Sequence, residues 1–434
     1  METTALLVLV LGINLTLWTL VGGVRFVSER WTDRRGDAYA EALRPRRAPA
    51  EVGIVIPAHD EEPVIAATIS SALGLVPAAN VHVIADGCDD DTAEIARSTG
   101  VHVLELDPGR GKAGGIEAAI EHFDIVQRFV ALLIVDADTE LDEHYLARAL
   151  PLLERPGIVA VAGYAKAGWR PDELSPVGRF LISYRARLYA IMQWLKYGQT
   201  WQWTNVTAIV PGFASMYRTS ALDRMDLNPP GLIIEDFNMT FELHRRRLGK
   251  IAFQHDVFAT TQDPDNFRDY RQQVFRWHLG FWQTLRRHGF WVSGFSAALA
   301  LFILEILVAS VGIVVLVGAV VLLTPILLVG YAAQASGWVA GLDALTEFYL
   351  PLAGALLILA GLDYLLTCVT ALAFRRPVML LHGLAFMALR FVDAVEILRS
   401  IPRAWSDRSD GRWTSPTRRP TARPPSPADR GQGA

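Results

Sequence analysis

The sequence predicts an α/β domain on a parallel sheet, attached to a membrane at both ends. Three features of the 434-residue chain lead there: β-branched runs alternating with helix-like stretches from Val52, an uncharged apolar run from Ala5 to Val24, and long apolar zones beyond residue 290.

The strand-like runs are "VGIVIPA", "VHVIAD", "VHVLEL" and "FVALLIVDAD". Between them lie "EEPVIAATISSAL", "DTAEIARSTG" and "GKAGGIEAAIEHF", which read as crossover helices. Such alternation implies parallel strands. Ligands of these sheets bind beyond the carboxyl ends of the strands. The acidic residues gather there: Asp60 and Glu61, then Asp86, then Asp136 and Asp138.

The first apolar run is long enough to span a bilayer. No Lys or Arg precedes it, whereas Arg25, Arg30, Arg34 and Arg35 follow. This bias predicts an uncleaved anchor with the next segment in the cytoplasm. A second zone, Ser296 to about Ala333, is too long for one untilted span and barely long enough for two. A third, Leu350 to Phe374, carries Asp363. In the fourth, Val378 to Leu398, Arg390, Asp393, Glu396 and Arg399 recur at three-residue spacing. Such a helix can pair its own charges and lie along the interface.

The expected organisation is a transmembrane helix at 1–25, a basic juxtamembrane linker at 26–50, a catalytic domain at 51–290, transmembrane and interfacial helices at 291–400, and a disordered Arg/Pro-rich tail at 401–434. It implies a multi-pass protein of the cell (inner or plasma) membrane with a cytoplasmic catalytic domain. The net charge of −4 gives no reason to expect nucleic acid. The two cysteines, Cys88 and Cys368, have spacing that suggests neither zinc nor a disulfide.

Five motifs carry chemistry, each with a plainer alternative. "DADT" (Asp136–Thr139) puts two carboxylates at a strand end, where both reach one hard divalent cation; a capping turn is the alternative. In "ADGCDDDT" the Asp86 carboxylate can accept a hydrogen bond from a base imide, or simply cap a helix. In "PGRGKAGG" Lys112 opens a helix and can meet a phosphate, or sit in a solvated loop. In "IIEDFNM", Glu235 and Asp236 offer a general base; both also suit a helix N-terminus. In "QQVFRW", Arg276 can neutralise phosphate, Gln273 can hydrogen-bond, and Trp277 offers a face for a sugar ring. An interfacial aromatic belt is the alternative there, because Phe281, Trp282, Phe290 and Trp291 continue the pattern.

Taken together, the order of base-binding Asp, DxD, ED and QxxRW before a membrane segment resembles the processive family-2 glycosyltransferases, the group holding cellulose, hyaluronan, chitin and poly-N-acetylglucosamine synthases. The resemblance covers about Val52 to Phe290. It implies a GT-A-type, Rossmann-like α/β cytoplasmic domain flanked by transmembrane and interfacial helices. The donor is expected to be a UDP-sugar, the cofactor Mg2+ or Mn2+, and the acceptor a growing polysaccharide or a membrane lipid.

By the same resemblance Asp136 and Asp138 bind the metal, and Pro57, Glu61, Asp86 and Lys112 serve the nucleotide sugar together with Asp136, Gln273 and Arg276. Asp236 is the base, with Glu235 beside it, and Gly212 and Trp277 meet the acceptor. Asp60 and Cys88 stand where the family has Asn and Ser, and Glu117 where Asn is common. Glu305, Asp363 and Arg390 within the apolar zones fit a sugar-lined path or helix pairing. With so few helices a full channel calls for a second subunit, a homo-oligomer. A catalytically silent sugar-nucleotide-binding membrane protein is the reading from another class.

Overall fold

In the computed structural model the described residues are 48–196, 201, 204–332, 339–407, 409, 411 and 416–420, with short pieces before residue 25. The expected N-terminal anchor and basic linker therefore fall almost wholly outside the described residues.

The first half alternates as the sequence suggests: β1 (Val52–Ala58), α1 (Ile65–Leu73), β2 (Val81–Asp86), α2 (Thr92–Ser98), β3 (His102–Leu106), α3 (Gly111–His122), α4 (Ile125–Arg128) and β4 (Ala131–Val135). Every residue of β1, β2 and β4 is buried, because helices cover both faces of a parallel sheet. The neighbours β1/β2, β2/β3 and β1/β4 are all parallel.

The second half departs from a purely parallel sheet. It comprises β5 (Thr139–Leu141), α5 (Tyr145–Glu154), β6 (Ile158–Ala167), α6 (Pro176–Ile191), β7 (Ala214–Arg218), α7 (Thr219–Leu222), α8 (Glu235–Arg245) and β8 (Lys250–Thr261). The strand order is β3-β2-β1-β4-β7-β6-β8-β5. The long connection through α6 returns β7 against the direction of β4, so β7 pairs antiparallel with both β4 and β6. The main core lies between this sheet and its helices.

Beyond the sheet follow α9 (Phe267–His288), α10 (Gly294–Ala332), α11 (Val339–Phe374), α12 (Val378–Gly383) and α13 (Phe386–Ser406). Asn266 caps α9, its side chain accepting from the Asp269 amide at 2.9 Å, and Gly289 ends it at φ 62°. Gly294–Ala332 and Gly341–Phe374 are long and apolar enough to cross a membrane. The 39-residue α10 is one continuous helix, about 58 Å at 1.5 Å per residue, against a hydrocarbon core of about 30 Å.

The charges of the apolar zones pair between helices. Asp363 of α11 accepts from Arg187 of α6 at 2.7 Å and from Arg390 of α13, and Lys196 pairs with Glu305. In α13 the spacing suggested pairing within the helix, and Arg399 does meet Glu396 at 3.0 Å. Its other charges reach outward instead: Glu396 takes Arg271, and Asp393 accepts from Tyr184 at 2.7 Å and Tyr270 at 2.5 Å. Phe281 and Trp282 are 2% and 3% exposed in a cluster with Phe241 and Phe295, so they are core side chains and not an aromatic belt. Phe290 is exposed.

Candidate active site

The site forms where β4, the loop before β7 and the start of α8 meet. After β4 the Asp136 amide donates to the Phe213 carbonyl at 2.9 Å, tying the DxD turn to the segment that carries Gly212. Glu235 and Asp236 form the first turn of α8, where the helix dipole favours negative charge.

Lys112 of α3 joins these pieces. Its Nζ lies 2.6 Å from Asp136 Oδ1 and 2.6 Å from Glu235 Oε1, and it donates to the Gly212 carbonyl at 3.3 Å. Burial disfavours the ammonium, but the two carboxylates outweigh it and raise its pKa well above the ordinary lysine range. Lys112 thus stays charged and holds two acidic motifs that lie far apart in the sequence.

Asp236 accepts from the Gly212 amide at 3.2 Å and from its neighbour Phe237 at 2.6 Å. Burial pushes its carboxyl up to about 7, with the charge of Glu235 acting the same way. Lys112 and the two amides oppose the shift without cancelling it. A carboxylate tuned near neutrality is suited to accepting a proton. Arg276 feels the same group: burial lowers its pKa, while the charges of Asp136 and Glu235 favour its guanidinium.

Gly212 leaves space at the centre. A Cβ there would stand 2.7 Å from Glu235 Oε1 and 2.9 Å from Lys112 Nζ. Gly212→Ala is therefore expected to displace the Lys112–Glu235 pair and cut turnover by about 10- to 100-fold while the protein still folds. Steady-state kinetics beside a thermal melt checks this, and unchanged turnover would mean the space is not needed.

The second DxD carboxylate faces a different cation. Arg418 donates to Glu61 through Nε and Nη2, both at 2.6 Å, and its Nη1 contacts Asp138 Oδ2. Asp138 also accepts from Thr139 at 3.2 Å and Thr261 at 3.3 Å. The Thr417 amide donates to Asp269 at 3.0 Å, and Arg419 lies 3.5 Å from Asp265. Residues 416–420, assigned to a disordered tail from composition, thus lie across the acidic site, and α13 runs to Ser406, beyond the expected boundary at 400.

The remaining expected residues lie around this centre. Pro57 is buried in β1 opposite Ile84 of β2. The Asp86 carboxylate accepts from the Arg110 amide at 2.6 Å and the Gly111 amide at 2.8 Å, so it secures the loop that presents Lys112. Gln273 and Trp277 on α9 both contact Arg185 of α6, a residue the sequence did not mark. Its signal was two arginines, Arg185 and Arg187, inside the otherwise uncharged "FLISYRARLYAI".

Glu61, Asp136 and Asp138 offer only oxygen ligands, the donor set that suits Mg2+ or Mn2+, and Arg418 places a positive charge on two of them. Among the described residues the group whose ligand atoms converge, within 4.8 Å of one another, is instead Asp60, Cys88 and Asp90. Burial pushes the Cys88 thiol up to about 11, so at neutral pH that sulfur stays protonated and binds metal weakly.

A buried lysine thus bridges two acidic motifs at the end of the central strands, with the raised carboxyl of Asp236 beside them. Residues 49–280, more than half of the chain, match the family model described as glycosyltransferase-like family 2, and the chain belongs to that family.

Among curated proteins it is 32% identical over 148 residues to the succinoglycan biosynthesis protein ExoU of Rhizobium meliloti (strain 1021), covering 31% of this chain and 41% of that protein. It is 24% identical over 244 residues to the probable glycosyltransferase YdaM of Bacillus subtilis (strain 168), covering 53% and 55%. The chain thus spans about half the length of the curated relatives it matches. Among solved structures, the mannosyltransferase PcManGT from Pyrobaculum calidifontis, in complex with GDP-Man and Mn2+, is 17% identical with a TM-score of 0.49, covering 90% of this chain and 99% of that one.

Proposed function

We propose that the protein is a membrane-embedded, inverting glycosyltransferase that moves a sugar from a UDP-sugar onto a growing polysaccharide. The observation that carries this is the joining of Asp136, Glu235 and Asp236 around Lys112 and Gly212, beside Arg276 on a helix that leads into the apolar segments.

In this mechanism an acceptor hydroxyl lies against Asp236, which takes its proton. The freed oxygen forms a bond to the anomeric carbon as the bond from that carbon to the diphosphate oxygen breaks. Its electron pair leaves with the nucleoside diphosphate, and inversion follows from the single displacement. Negative charge builds on the leaving group, where preorganised cations stabilise it most. Lys112 and Arg276 supply two. Asp136 and Asp138 would hold a divalent ion, which when bound neutralises the diphosphate as a Lewis acid. Asp86 can meet a uracil through its second lone pairs, its first being taken by the Arg110 and Gly111 amides.

Transfer to a membrane lipid is the second reading. It is favoured by the pairing of Asp363, Arg390, Glu305 and Lys196 with one another or with Arg187, because charges satisfied in this way do not line a path.

The deciding experiment incubates the full-length protein in detergent with a panel of UDP-sugars and GDP-mannose, with Mg2+ or Mn2+, and sizes the labelled product. A ladder from one donor supports polymer synthesis. A single-sugar lipid moves the assignment to the second reading, and no nucleotide release from any donor overturns both.

The tuning of Asp236 gives the pH dependence. A base acts when ionised, and its carboxyl is raised from 3.8 to about 7. kcat/KM is therefore expected to climb through neutrality and level off above it, and to fall about tenfold per pH unit well below 7. A profile already flat from pH 5 would remove Asp236 from the role of base.

A further inference from the structure

We propose that Arg185 is a positioning residue that fixes Trp277 and Gln273 for substrate and couples them to the DxD turn. The inference rests on the reading that these two side chains serve transfer.

Tyr270, Gln273 and Trp277 occupy positions i, i+3 and i+7 of α9 and so share one face of that helix. Arg185 meets all three. Its guanidinium carbon stands 4.6 Å from the Tyr270 ring and 4.5 Å from the Trp277 ring, and its Nη2 donates to Gln273 Oε1 at 2.7 Å. The residue is 1% exposed, a depth at which a cation persists only with partners. A planar guanidinium can stack between two rings while one edge donates in the plane; a lysine ammonium cannot do both.

The other edge of Arg185 points towards β8. Its Nε lies 3.9 Å from Asp263 Oδ1, which itself accepts from the Tyr189 hydroxyl at 2.6 Å. Asp263 is 3% exposed and follows directly on the strand end that holds the DxD turn. There Thr261 donates to Asp138 at 3.3 Å, and the Gln262 amide donates to the Asp138 carbonyl at 3.3 Å. Asp138 is thus hydrogen-bonded to residues 261 and 262, and the next residue, Asp263, faces Arg185 as an ion pair at 3.9 Å, without a hydrogen bond from Nε. Tyr270 is held from behind by Asp393 of α13. The guanidinium covers one face of the half-buried Trp277 ring.

The test labels the full-length protein in detergent with 5-fluorotryptophan and reads it by fluorine NMR without substrate. Trp277→Phe identifies the Trp277 resonance by its loss. In Arg185→Lys that resonance is expected to shift or broaden while the remaining tryptophans stay in place. Nucleotide release during transfer, with the donor found above, is expected to fall at least tenfold. Adding Arg185→Lys to Trp277→Phe is expected to cost much less than in the parent, because the residues act as one unit.

If Arg185→Lys unfolds the protein, the neutral pair Arg185→Met with Asp263→Asn replaces it, since that pair leaves no buried charge unmatched. An unmoved Trp277 resonance, a general shift of all tryptophans, or additive losses would each overturn the proposal. Full transfer in Trp277→Phe alone would instead overturn the role given to Trp277, while the resonance still reports whether Arg185 positions it.

Discussion

Asp236→Asn is expected to reduce transfer by about 10³-fold, the middle of the range for loss of a general base, with donor binding retained. Loss of fold does not explain such a result, and the sign can be worked out. The folded protein raises the Asp236 carboxyl from 3.8 to about 7, so it disfavours the ionised form relative to the unfolded chain. Above pH 7 the ionised carboxylate therefore detracts from stability, and a neutral amide removes that cost. The variant should melt at or above the parent at pH 8. Donor binding, read by calorimetry with a non-transferable UDP-sugar, should stay within a few fold. A variant that keeps a tenth or more of parental turnover would show that Asp236 is not the base.

The second large effect concerns the segment across the site. Arg418 binds Glu61 through two nitrogens and also meets Asp138, in a place where its side chain is 10% exposed. A divalent ion on Asp138 would share that carboxylate with the guanidinium, two positive charges in one place, so the two are expected to compete. Charge-assisted hydrogen bonds are about twice as strong as neutral ones, so displacement has a real cost. Arg418→Ala is expected to tighten Mn2+ binding about tenfold, equivalent to about 1.4 kcal/mol. Electron paramagnetic resonance of free Mn2+ measures this without any turnover. Equal affinity in the two proteins would mean that the ion and Arg418 do not compete. Alanine is the informative replacement, because lysine would restore a positive charge at the same carboxylates.

How much was legible in the sequence depended on the range of the interaction. The strands β1, β2 and β4 were visible as apolar runs because each is buried on both faces, and their ends located Asp86, Asp136 and Asp138. The helix start at Glu235 was legible from its acidic first turn. The antiparallel placement of β7 was not, since it depends on how the chain returns after α6 and not on local pattern. Phe281 and Trp282 looked like a lipid-facing belt because an aromatic residue bears no mark of which apolar surroundings it will meet.

The same distinction runs through the site. Composition and motif order by themselves determined the α/β class, the acidic strand ends, the apolar helices and the set of residue types suited to a nucleotide sugar. Only the tertiary structure decided which charges meet: Lys112 with both Asp136 and Glu235, Arg185 with Gln273 and Trp277, Arg418 with Glu61 and Asp138. The reason is physical. Hydrophobic periodicity is a local property written every two or four residues, whereas these contacts join groups from 24 to 357 positions apart and exist only once the backbone has brought them within reach.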